Sequence, residues 1–137
     1  MSYATSSDLA IYMPAEALLR LGSDDPDATA PDGTIIEMAL EQAASLIDAA
    51  LRAAGLAVPM AEPPPIIKEL ALSLARCWLY RRRPEGMAMP ETLKDACQAA
   101  EKMLEAISSG AIKLGHTSAG PQEMRLGTRT RDWGMLA

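Results

Sequence analysis

Apolar positions recur at helical spacing along most of this chain. The densest stretch spans residues 63–83, PPPIIKELALSLARCWLYRRR. There Ile67, Leu70, Ala71, Leu74, Cys77, Trp78 and Arg81 follow i, i+3, i+4, i+7, which is one helix face. Ile66, Leu72, Ala75 and Leu79 widen that face past an amphipathic stripe. A helix apolar on most sides is buried on most sides, so this stretch is the predicted central helix of a bundle. At 1.5 Å per residue it is about 27 Å long. Prolines suit its first turn, and three arginines close it.

The remaining elements are read outward from that helix. Thr5, Ser6 and Ser7 offer cap oxygens for a short helix over 8–13, and Pro14 separates it from a second over 15–21, stopped at Gly22. Residues 23–33, SDDPDATAPDG, meet every criterion for a loop. Thr34 and Glu37 have the form of a capping box. From there Ile36, Ala39, Leu40, Ala43, Ile47, Ala50, Leu51 and Ala54 make a long stripe that ends at Gly55. A proline-rich connector over 56–65 follows, with Val58 and Met60 available to plug the core. Pro84, Glu85 and Gly86 terminate the central helix. Pro90 starts the last one, whose stripe is Leu93, Ala96, Cys97, Ala100, Met103, Leu104 and Ile107; Ser108, Ser109 and Gly110 close it. Three substantial and two short helices with short connections predict an all-α fold, a small antiparallel helical bundle.

The tail reads differently. Glycines fall at 110, 115, 120, 127 and 134, and apolar residues thin out. Met124, Leu126, Thr128 and Thr130 alternate with Glu123, Arg125, Arg129 and Arg131, a period-2 pattern for an extended arm. Trp133, Met135 and Leu136 give that arm an apolar tip. The organisation read from the sequence is a helical domain over 1–115 and a C-terminal arm over 116–137, held by a partner because such a segment otherwise frays.

Composition sharpens this picture. Of 137 residues 49% are hydrophobic, none is Phe and aromatics make up 4%, which favours closely packed helices over a β-sandwich. The formal net charge of −5 argues against broad nucleic-acid binding. Cys77 and Cys97 fall on apolar helix faces and read as buried, reduced thiols in a reducing compartment, ahead of a disulfide between facing helices. The N-terminus has no signal-peptide pattern, and Lys68, Glu69 and Arg76 interrupt the longest apolar run, so no membrane span is expected.

Candidate chemistry is sparse. Asp24, Asp25, Asp27 and Asp32 share one loop, but they lack the ligand alternation and closing Glu of a calcium site, so a solvated acidic loop is expected. The sole histidine, His116, has no carboxylate or cysteine at ligand spacing and reads as a surface residue. No phosphate loop, nucleophile elbow or paired-Cys motif occurs. The expectation is therefore no metal, no cofactor and no enzymatic activity. Arg81, Arg82 and Arg83 are the strongest charged feature. The helix macrodipole accounts for one or two cations there, not three. They read as a docking patch for an acidic partner surface, with Met87 and Met89 as an adaptable, exposed neighbour. The alternative is a small helical regulator or binding module that uses the same patch on nucleic acid or protein. The candidate partner-binding residues are Arg81, Arg82, Arg83, Met124, Leu126, Arg129, Arg131, Trp133 and Leu136.

A family resemblance bears on these expectations. Tyr3, Ala4 and Thr5 before Asp8 and Leu9 open the pattern, followed by Ile47, Asp48 and Leu51. Gly55 and Leu56 with Val58, Pro59 and Met60 come next, then Pro64 and Pro65 ahead of Leu79, Tyr80 and the arginines. Leu104, Ile107, Gly110 and Leu114 close it. In this order they resemble the Mu-like prophage head–tail connector family, within the adaptor, or head-completion, proteins of tailed phages. The resemblance covers about residues 3–115. It implies a non-enzymatic, all-helical adaptor of the virion neck, assembled in the host cytoplasm. It further implies a homo-oligomeric ring, commonly a dodecamer, beneath the portal protein. Such a ring extends a channel through which DNA passes without specific binding, and docks the next neck or tail-terminator protein. A head-to-tail ring needs two complementary patches on each subunit. The acidic loop and the arginine cluster, at separate edges, are the expected pair.

Overall fold

A computed structural model of the chain describes residues 3–82 and 89–111. Within them the fold is all-α, as the periodicity predicts. Five helices follow in order: α1 (Ser6–Tyr12), α2 (Ala15–Leu21), α3 (Gly33–Ala53), α4 (Pro65–Arg81) and α5 (Glu91–Ser108). The extended arm expected over 116–137 lies outside the described residues, as does the helix stop expected at 84–86.

Local chemistry sets the helix starts. Thr5 caps α1: its hydroxyl accepts the Asp8 N–H while the Asp8 carboxylate accepts the Thr5 N–H, a reciprocal capping box. Pro14, Pro64 and Pro90 precede α2, α4 and α5 with extended ψ, and none of these helices has a side-chain cap. Proline lacks an N–H, and its carbonyl takes the first helical hydrogen bond, from Leu18 in α2 and Lys94 in α5. In α3 the structure corrects the expected start. Asp32, not Thr34, is the cap, accepting from the Thr34 N–H at 2.9 Å, so the helix begins at Gly33. Both residues can cap; Asp32 also donates its N–H to the Gly22 carbonyl at 2.7 Å, which ties the loop base to the end of α2.

Helices α3, α4 and α5 pack around one core. Ile47, Leu51, Ile67, Ala75 and Leu79 are completely buried. Ala39, Ala43 and Ala50 on α3, with Ala71 and Ala75 on α4, give that seam its short side chains. Of the predicted wide α4 face Ile66, at 39%, and Arg81 are exposed and Trp78 is half-buried; the rest is buried. Leu56, Val58 and Met60 of the connector plug the core edge, as expected, around a cis Val58–Pro59 bond. Gly55 has φ +84°, the left-handed conformation that lets the chain leave α3. Gly22 is required for a different reason: a Cβ there would lie 2.7 Å from the Leu18 carbonyl oxygen and 2.8 Å from Ile36 Cδ1.

The cysteines are buried, as the apolar pattern predicts, but they are not free: Cys77 and Cys97 form a disulfide. Antiparallel α4 and α5 place both residues on the same seam with Cα atoms 6.0 Å apart, within bridging reach. Cysteine usage therefore gives no support for a reducing compartment. No described helix is long and apolar enough to cross a membrane.

The amino terminus is pinned by Tyr3. Its hydroxyl donates to the Asp48 carboxylate on α3 and accepts the Met60 N–H at 3.0 Å. Burial and the Asp48 carboxylate raise the Tyr3 phenol above its ordinary value. Asp8, held by the Thr5 N–H and by Lys68 at 3.0 Å, is lowered. Tyr12 meets the Ser73 hydroxyl at 2.8 Å, and Arg76 stacks over the Tyr12 ring at 4.8 Å, so α1 is stitched to α4.

Two outcomes follow from this frame. Tyr3→Phe leaves Asp48 and the Met60 N–H without a partner and is expected to cost about 1 kcal/mol in urea unfolding at neutral pH. Because the folded state keeps the phenol neutral, that stability is full below about pH 10 and is lost as pH rises through the raised folded pKa. Wild type should lose stability more steeply than Tyr3→Phe above pH 10. Reduction of the disulfide, which closes a separation of 20 residues, is expected to lower stability by about 3 kcal/mol. A urea midpoint unchanged by dithiothreitol would mean that the thiols are unlinked.

Candidate partner-binding surface

The arginine end of α4 and the loop over residues 22–32 meet. Arg82 Nη1 donates to the Leu21 carbonyl at 2.9 Å, and Nη2 reaches both Asp24 carboxylate oxygens at 2.9 and 3.0 Å. The guanidinium also lies over Trp78, 6.0 Å from the ring centroid. One planar fork thus holds the end of α2, the acidic loop and the end of α4. Arg81 pairs with Glu101 on α5 at 2.9 Å, both side chains being half-exposed. Such surface pairs are worth little and break readily.

This geometry corrects the expected pair of separate edge patches. Arg82 and the acidic loop join within one chain, across 58 residues of sequence. Nor is the loop merely solvated. Asp25 accepts the Asp27 N–H at 2.9 Å, Asp32 caps α3 and Asp24 takes Arg82. Met89, expected to be exposed, is half-buried against the cluster of Cys77, Leu93 and Cys97. Arg83 and Met87 lie outside the described residues, as do Met124, Leu126, Arg129, Arg131, Trp133, Leu136 and His116. Among the described residues no group of three or more His, Cys, Asp or Glu could hold a metal ion.

A further surface, which the sequence reading did not single out, adjoins the same α2 end and loop. Helices α1 and α2, the loop and the start of α3 enclose an apolar groove of about 570 Å³. Ala10, Ala15, Leu18, Leu19, Pro31 and Ile36 form its floor and walls, with Glu16 at the rim. A second depression adjoins it through the shared Ser6 and Gly33 and is lined by Thr34, Glu37, Met38 and Glu41. Ile11 on α1 is 87% exposed, and Met38 in this depression 51%. The signal was available: Leu9 and Met13 mark the buried face of α1, which leaves Ile11 pointing away. The charge pattern also singles out this region. Asp8, Glu16, Asp24, Asp25, Asp27, Asp32, Glu37, Glu41 and Asp48 fall within the first 51 residues, against Arg20 as their sole Lys or Arg.

The family model described as Bacteriophage Mu, Gp36 matches residues 3–130, and the chain belongs to that family. No curated protein matches. The matched span continues past Gly115 and takes in Met124, Leu126 and Arg129, so most of the tail is part of the family pattern and not an appendage to it.

Arg82→Ala is expected to destabilise the chain by roughly 1–2 kcal/mol, since it leaves the Leu21 carbonyl and the Asp24 carboxylate without this donor. Faster amide exchange confined to residues 22–31 would accompany it. Arg82→Lys should recover only part of the loss, because an ammonium lacks the fork. A variant as stable and as protected as wild type would show that Arg82 does not hold the loop.

Proposed function

We propose, from membership of the Bacteriophage Mu Gp36 family, that this chain is a structural head–tail adaptor of a tailed-phage particle. The observation that carries the reading is the family match over residues 3–130. In this reading copies assemble into a ring, twelve-fold in the expected form, beneath the portal protein. The ring lengthens the DNA channel and offers its far face to the next neck or tail-terminator protein. Its place is the neck of the virion, reached from the host cytoplasm during assembly.

The physical chemistry is compatible with that role. A net charge of −5 keeps DNA sliding and not bound, since tight non-specific binding needs phosphate neutralisation by a cationic face. Tyr3 and Asp8, whose pKa values shift, are tied into caps and helix contacts, which suits a structural and not a catalytic protein. The competing reading, a regulator that grips nucleic acid through the arginine cluster, loses support because Arg82 is engaged by Asp24 and the Leu21 carbonyl.

The test is to mix the purified protein with its cognate portal protein and to measure native mass. A closed ring bound to the portal is the expected result. A monomer that ignores the portal, and binds duplex DNA with an affinity that falls steeply with salt, would replace the adaptor reading with the regulator.

A further inference from the structure

The groove over α1, α2 and the start of α3 is apolar at its floor and acidic at its rim. Ala10, Ala15, Leu18 and Ile36 line it beside the exposed Glu16, and the exposed Glu37 and Glu41 line the adjoining depression. A site of this volume suits a few bulky side chains. The chain carries a segment of matching chemistry. Residues 112–137 contain Lys113, Arg125, Arg129 and Arg131 against Glu123 and Asp132, and end in Trp133, Met135 and Leu136. The body is acidic where the groove lies; the tail is basic with an apolar tip.

We infer that the groove receives the C-terminal segment 125–137 of a neighbouring copy, its apolar tip on the floor and its arginines against Glu16, Glu37 and Glu41. In the adaptor reading the source is a neighbour, and the point where the tail departs is compatible with that. The Cys77–Cys97 bridge joins the C-terminal half of α4 to the N-terminal half of α5. Arg82 places that end of α4 beside Leu21 and Asp24, near the start of α3. Helix α5 therefore runs away from the groove end and releases the tail at the opposite end of the bundle. Residues 112–124 can span about 40 Å when extended, enough to cross to an adjacent subunit. Groove and tail are different surfaces, so the contact is heterologous and closes into a ring when the rotation allows. Each docking is weak alone, but neighbours in a ring hold the tail at high effective concentration. The choice of a neighbour as source rests on the adaptor reading; the match between groove and tail does not.

The experiment uses the full chain. Glu16→Lys, Glu37→Lys and Glu41→Lys combined reverse the rim, and Arg125→Glu, Arg129→Glu and Arg131→Glu combined reverse the tail. Because the three glutamates are exposed, helix content should be unchanged by circular dichroism. Each triple variant should weaken self-association by on the order of tenfold, and mixing the two should restore it. Restoration cannot come from misfolded protein. Equal association of all forms would overturn the inference. A photo-reactive benzoylphenylalanine in place of Met135, in a copy made heavier by a size tag, then identifies the source. Cross-links to α1 or α2 of untagged copies are expected. Cross-links confined to the tagged copy itself at every concentration, or none to the groove, would overturn it. Native mass separates the two readings: cross-linked open chains refute the ring and keep the groove, while closed rings with an empty groove keep the ring and refute the groove.

Discussion

Helix α4 has to be covered on nearly every side, and the rest of the fold answers that requirement. Ile67, Ala75 and Leu79 are completely buried, and Leu70, Leu72, Leu74 and Cys77 nearly so. At about 25 cal/mol for each Å² removed from water, that apolar surface is the main favourable term for folding. It cannot be satisfied by one neighbour. Helix α3 approaches on an alanine seam, α5 is joined by the disulfide, and α1 closes the remaining side through Tyr12, which meets Ser73 and Arg76 of α4.

That covering is uneven, and the unevenness is where a surface for partners arises. Helices α1 and α2 have seven residues each, against twenty-one in α3. Two short helices cannot cap the first turns of α3 as a longer one would, so an apolar trough is left between them and the loop. The loop is itself held in place. Gly22 fits against Ile36 because it has no side chain, Asp32 closes the loop base, and Arg82 clamps Asp24. A charge cluster that looks like a docking patch in one dimension is therefore, at Arg82, a clamp that shapes a surface elsewhere.

The helices were legible in the sequence because their determinants are local. Thr5 with Asp8, the three prolines before α2, α4 and α5, and Gly55 act on residues within a turn of themselves. The stripes of α3 and α5 are periodic and fell where expected. What could not be read depends on distant pairing. Arg82 finds Asp24 across 58 residues, and the same letters suit a free cation. Cys77 and Cys97 look like buried thiols until antiparallel packing sets them 6.0 Å apart. Asp32 outcompetes Thr34 as the α3 cap because the loop base forms around it. The groove left only an indirect trace, in Ile11 and the acid-rich first 51 residues, since its walls come from four segments.

In the proposed function, this acidic helical domain is a building block of the particle neck. Electron cryo-microscopy of the intact particle, reconstructed around the portal axis, tests it most directly. The account predicts a ring of domains directly beneath the portal, each fitting the five helices with α4 at its centre. A neck in which no density fits this fold, in particles that package DNA and carry tails, would contradict it.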